Sequence, residues 1–172
     1  MQRSLLRHPL SPVGPVEGID VTLEQHGERW IVEYRAHGAI DAVVVPDRVG
    51  AQKFTDDLWR TTCFEAFSRR DEAAYTEFNL SPSGDWAAYR FADYRTAMTP
   101  VAIGLPDIAT RIDESTLILE ALLPLGGMLG LSAVIEASDG SKSYWALAHP
   151  PGAPDFHHAD CFALTLPPRT RA

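Results

Sequence analysis

Glu77 and Asn79 stand two residues apart in Tyr75–Leu80 (YTEFNL), and Glu65 stands in Thr61–Ser68 (TTCFEAFS). Residues two apart on a strand share a face. Tyr75, Glu77 and Asn79 therefore project together, while Thr76, Phe78 and Leu80 turn to the core. Carboxylates and amides bond hydroxyl edges, and an indole covers an apolar C–H face. Trp59 and Trp145 supply such rings, and Arg90, in Trp86–Phe91 (WAAYRF), supplies a donor expected to pair with Glu65 or Glu77 across the sheet. Trp59, Trp145, Glu77, Asn79 and Arg90 together carry the chemistry of holding a polyol. His157, His158 and Asp160 are the most concentrated polar group and are expected to shape the rim. Neighbouring histidines diverge on a strand but converge on a loop.

Other chemistries make stricter demands. Glycoside hydrolysis by Glu65 and Glu77 needs carboxyls roughly 5–10 Å apart across an open cleft, one of them with a raised pKa. There is no Gly-x-Ser-x-Gly elbow and no phosphate-cradling glycine loop. A transition-metal site would need His149 or Asp155 beside His157, His158 and Asp160, and that spacing matches no zinc motif. Calcium would draw on Asp139 or Asp155. Haem would need an apolar slot with axial ligands from Met98, Met128 or a histidine, and no attachment sequence is present. No cofactor is assigned, and the expected function is binding, with the carboxylate-pair enzyme, a haem protein and a structural or protein-interaction domain as alternatives.

The elements that must position these residues are short strands. IDVTLEQ and RWIVEYRAHG flank His26-Gly27-Glu28 and read as a hairpin with Trp30, Val32 and Tyr34 on one face. Ala42–Val45 is a further strand candidate, and a short helical turn fits within Asp47–Leu58. Three antiparallel strands follow in Thr61–Ser68, Tyr75–Leu80 and Trp86–Phe91, the second closed by Ser81-Pro82-Ser83-Gly84. Ile108–Ile112 and Thr116–Leu123 form another hairpin. Leu129–Glu136, Ser143–Ala148 and Asp160–Leu166 complete ten or eleven strands. Residues 1–17, rich in Pro and Gly, read as irregular. The pattern predicts an all-β, two-sheet antiparallel β-sandwich in a single domain spanning 1–172.

At 172 residues, 45% apolar content and a net charge of −8, the chain can bury a core without staples, and it has neither the basic footprint of a nucleic-acid binder nor an apolar run of membrane-spanning length. Arg3, Arg7 and Pro9 interrupt the opening segment, so a secretory signal is not expected and the reading is cytoplasmic. Cys63 and Cys161 are expected to be reduced and buried, with a long-range disulfide left open. A homodimer protecting edge strands is also left open.

Leu58–Phe91 (LWRTTCFEAFSRRDEAAYTEFNLSPSGDWAAYRF), with LSAVIEASDG from Leu131 and SYWALAHPPGAPDFHHADCFALTL from Ser143, resembles small bacterial DOMON-like proteins related to the type 9 carbohydrate-binding modules. Leu58-Trp59 matches the family's Trp before a strand bearing an acidic residue. Asn79 to Gly84 matches its Asn, Pro and Gly, and Asp139-Gly140 with Trp145 matches its late turn and Trp. Thr61-Thr62 stands where those modules carry an acidic pair. The resemblance implies a sandwich fold in which two aromatics, here Trp59 and Trp145, clamp a terminal sugar whose hydroxyls polar side chains bind.

Overall fold

The computed structural model describes residues 1–48, 50–70 and 73–167. Among these residues twelve strands form: β1 (Gln2–Arg7), β2 (Val16–His26), β3 (Arg29–Gly38), β4 (Cys63–Arg69), β5 (Tyr75–Leu80), β6 (Trp86–Phe91), β7 (Thr99–Pro100), β8 (Ala109–Ile112), β9 (Thr116–Leu123), β10 (Met128–Glu136), β11 (Lys142–Ala146) and β12 (Leu164–Thr165). Single 3-10 turns lie at Ile40–Ala42, Leu58–Arg60 and Ala159–Cys161. Among the described residues no helix is long and apolar enough to cross a membrane.

The strands run β7-β6-β5-β4-β10-β11-β1-β2-β3-β9-β8 in one antiparallel sheet, with β12 pairing beside the start of β10. This corrects the expected two-sheet sandwich: the chain builds a single curled sheet, a half-barrel. The strand responsible is β1. Gln2–Leu5 pair with Thr22–Ile19 of β2, and Leu6 and Arg7 pair with Ala146 and Trp145 of β11. One short strand thus bonds to both halves and makes them continuous. β1 lies inside the segment read as irregular, because only Leu5 of its six residues is buried and the ladder leaves no apolar alternation to read. Ala42–Val45 is not a strand either: Ala42 ends the Ile40–Ala42 3-10 turn, and Val43 makes a lone bridge to Ala137.

The curl brings β3 and β9 over β4, β5 and β10. Alternation does the packing: Trp30, Val32 and Tyr34 of β3 turn inward with Leu117, Leu119 and Leu123 of β9. Opposite them lie Phe64, Phe78, Leu80 and Leu131. Each such side chain removed from water contributes about 1.5–3 kcal/mol. Tyr34 ties the halves: its ring lies 5.1 Å from that of Phe64, and its hydroxyl donates to the Glu65 carbonyl at 2.6 Å. Gly27, at φ +59°, takes the left-handed turn of the β2–β3 hairpin that a side chain would oppose.

The β4–β6 region has a second apolar layer on its other face. Phe67, Tyr75, Tyr89, Phe91 and Val134 pack there, covered by Phe156 and Phe162 of the last loop. Every residue from Cys63 to Ser68 is consequently buried. The site develops in this second layer.

Candidate functional site

Glu65 of β4 pairs across the ladder with Asn79 of β5 and Ser132 of β10, and Glu77 pairs with Phe67 and Tyr89. Strand periodicity puts Glu65, Glu77 and Asn79 on the face away from the main core. They sit beneath a cavity of about 790 Å³, within the size of ordinary small-molecule sites. Aromatic residues line it: Trp59 from the 3-10 turn after Asp57, Tyr89 and Phe91 from β6, Tyr144 from β11 and Phe156 from the last loop. Asp56, Asp57, Arg95, Met98 and His157 also line it.

The carboxylates are held in a polar network. Ser132 Oγ donates to Glu65 Oε2 at 3.2 Å, and Asn79 Nδ2 donates to Glu77 Oε1 at 2.8 Å. Glu65 is 3% exposed and Glu77 6%. Burial pushes the Glu65 carboxyl up to about 8, helped by the charge of Glu77 and opposed by the Ser132 hydrogen bond. Burial also raises Glu77, against the stabilising Asn79 bond and the Arg95 charge.

His157 closes one end. Phe67 and Phe91 meet its ring edge-on, each with centroids 5.1 Å away. The Tyr75 hydroxyl lies 2.8 Å from Nδ1 and accepts from the Arg95 N–H at 3.2 Å. With that hydroxyl donating to Nδ1, Nε2 carries the ring proton and faces Glu77 Oε2 at 3.9 Å. The distance would suit an ion pair, but burial and the Arg95 charge push the imidazole down to about 4, so the ring is uncharged at neutral pH. Arg95 is itself engaged: Nη2 meets Asp155 Oδ1 at 2.8 Å, and the Tyr94 hydroxyl donates to Asp155 Oδ2 at 2.6 Å. The Tyr89 hydroxyl donates to Asp56 Oδ1.

The structure gathers Trp59, Glu77 and His157 at this cavity, with Asn79 behind Glu77. Trp145 is elsewhere. It is 4% exposed, packed in the main core on the opposite face of β11 from Tyr144, with its indole N–H donating to Ser143 Oγ. Trp59 is 50% exposed, and no clamp between the two indoles forms. Arg90 also lies off the site. It pairs with Thr76 rather than Glu77, projects to the other face of the sheet and lines a separate depression with Thr76 and Phe78, so it does not pair with Glu65 or Glu77. His158 and Asp160 turn outward, where the Asp160 N–H donates to His158 Nδ1 at the start of a 3-10 turn.

Sequence reasoning missed Tyr89, Phe91, Arg95, Tyr144, Phe156 and the Asp56–Asp57 rim. The readable signal was the glutamates themselves: strands carrying a carboxylate on the face away from one core, yet aromatic on that same face, require a second covering layer. Met98 and His157 line the same cavity, but both His157 nitrogens already face Tyr75 and Glu77, which does not suit an axial haem ligand. Among the described residues no cluster of three or more His, Cys, Asp or Glu is placed to hold a metal ion. Asp139 caps its own turn through the Ser141 N–H, and Asp155 is occupied by Tyr94 and Arg95. Cys63 and Cys161 are buried free thiols.

No protein-family model matches the chain, and no curated protein gives a significant match. Among solved structures the chain is similar to a "putative carbohydrate-binding protein" from Bacteroides uniformis ATCC 8492, with a TM-score of 0.60 and 14% identity over 94% of this chain and 83% of that one. At this identity the likeness is one of fold.

Proposed function

We propose that the chain is a non-catalytic binding module whose cavity, open beside Trp59, takes a small polar ligand such as a sugar end group or polyol. The observation that carries this reading is one cavity combining aromatic walls with hydrogen-bonding groups at its floor, Glu65 and Glu77. Apolar faces of a sugar ring suit the former and its hydroxyls the latter. The fold shared with the Bacteroides uniformis protein supports it. A monosaccharide and glycan screen by calorimetry and tryptophan fluorescence tests it. Trp59→Ala is expected to weaken binding about tenfold. Arg90→Ala, on the other face, is expected to leave it unchanged. Equal binding by wild type and Trp59→Ala would move the site away from this cavity.

A second reading, glycoside processing, draws on one observation: two carboxyls in the same cavity, one holding its proton at neutral pH. Turnover of a glycoside panel, abolished by Glu65→Gln or Glu77→Gln with sugar binding retained, would favour it.

A further inference from the structure

The charge lining this cavity is unbalanced. Asp56, Asp57, Glu65 and Glu77 face it, against Arg95 and His157. Asp57 is answered by Arg60, at 3.3 Å on the exposed rim. Arg95 is paired with Asp155 at 2.8 Å, and although its charge reaches Glu65 and Glu77 it donates no hydrogen bond to either. His157 is held in its neutral form by the rings of Phe67 and Phe91 and by Tyr75. Among the described residues Asp56 accepts a side-chain hydrogen bond from the neutral Tyr89 hydroxyl alone, Glu65 from Ser132 alone and Glu77 from Asn79 alone. Glu65 Oε1 accepts no hydrogen bond from a described residue, and Glu77 Oε2 has only the long approach of His157. Two carboxylate oxygens on side chains more than nine-tenths buried are thus left without donors at the floor of an aromatic-walled cavity.

We infer that the ligand is a small organic cation, an amino sugar within the binding reading above, whose ammonium group meets Glu65 and Glu77 while its ring lies among Trp59, Tyr89 and Phe91. The inference rests on the proposed binding function and narrows its substrate class. A neutral sugar offers hydroxyl donors but leaves the charge unbalanced. An ammonium supplies three N–H donors and the missing positive charge together, and aromatic walls favour a cation over their faces. Without such a ligand the pair relieves its repulsion by keeping a proton. Ammonium binding replaces that proton, which passes to the buffer.

The test is calorimetry on the full chain at neutral pH. Glucosamine, galactosamine and mannosamine are compared with glucose, galactose and mannose, and with N-acetylglucosamine, which keeps the ring and loses the charge. At least one amino sugar should bind about tenfold or more tightly than its neutral parent, as expected for a close charge pair. Its apparent enthalpy should vary with the ionisation enthalpy of the buffer, reporting proton release. Glu77→Gln should remove most of the amino-sugar advantage and weaken the neutral parent by a smaller factor, because Gln keeps an oxygen for a hydroxyl but has no charge for an ammonium. Should that variant fail to fold by circular dichroism, Asp56→Asn at the rim serves the same comparison with a smaller loss. Neutral sugars binding as tightly as their amino counterparts would overturn the cationic assignment and leave sugar binding standing. Absence of binding by every compound would overturn both.

Discussion

Glu65→Gln tests the burial argument most directly. An unfolded chain releases the Glu65 proton near 4.5, whereas the folded chain holds it to about 8. Between those values the folded state binds more protons than the unfolded one, so stability falls as pH rises. At about 1.4 kcal/mol per pH unit, the interval from 4.5 to about 8 is an upper bound of roughly 5 kcal/mol. That is a large share of the 5–15 kcal/mol typical of a domain. His157 acts in the opposite sense: its folded value of about 4 lies below its ordinary 6.5, so stability is lost as pH falls through that range. The two largely cancel below about pH 6.5, which leaves pH 6.5 to about 8 as the clean window. There Glu65 alone accounts for a decline of about 2 kcal/mol. Gln keeps an oxygen for the Ser132 hydroxyl and has no charge to desolvate. Urea unfolding followed by tryptophan fluorescence across the window should show the wild type losing stability and the variant losing much less, the remainder coming from Glu77. The variant should also exceed the wild type near pH 8. A wild-type curve that is flat or rising, or a variant that declines as steeply, refutes the reasoning.

Trp145→Ala should cost about 3–5 kcal/mol by opening a void in the main core, whereas Trp59→Ala, half exposed at the rim, should cost less than about 1 kcal/mol; chemical denaturation of both separates the core indole from the cavity-lining one. Tyr34→Phe removes the hydroxyl that joins β3 to β4 and should cost about 1–2 kcal/mol, read by the shift in urea midpoint at constant slope. Gly127→Ala places a methyl 2.2 Å from the Arg69 carbonyl at φ +71°, so it should lower Tm by several degrees, about 1–3 kcal/mol in stability.

The faces of most strands were legible because alternation is enforced wherever one side meets the core. YTEFNL divides into Thr76, Phe78 and Leu80 against Tyr75, Glu77 and Asn79, as the chain folds. The same rule applied to β11 puts Trp145 with Ser143 and opposite Tyr144, but residue type alone could not say which of those faces was the core. Arg90 failed for a register reason. Its neighbour across the ladder is Thr76, and one residue of register decides whether an arginine reaches a carboxylate or the far side of the sheet. Sheet number was less legible still, since it turns on β1, where Arg3 and Arg7 face solvent and the backbone, not the side chains, makes the join.

CFEAFS marks the limit of alternation and the way past it. All of these residues are buried, so a periodic reading assigns one face to a core and leaves the other unexplained. The explanation lies in the single charge. A carboxyl on a strand flanked by Cys63 and Phe67 on its own face cannot be an ordinary solvated group, because those neighbours would not remain in water. It must be buried beneath a second layer, and a buried carboxyl needs donors or a proton. Ser132 supplies one donor and the Glu65–Glu77 pair retains a proton for the rest. Nothing in packing requires a carboxylate there; a Val or Leu would seal the layer at lower cost. Under the proposed binding function the cavity directly above the group gives that cost a use, since a ligand supplying the missing donors would recover in binding what the empty fold loses to desolvation.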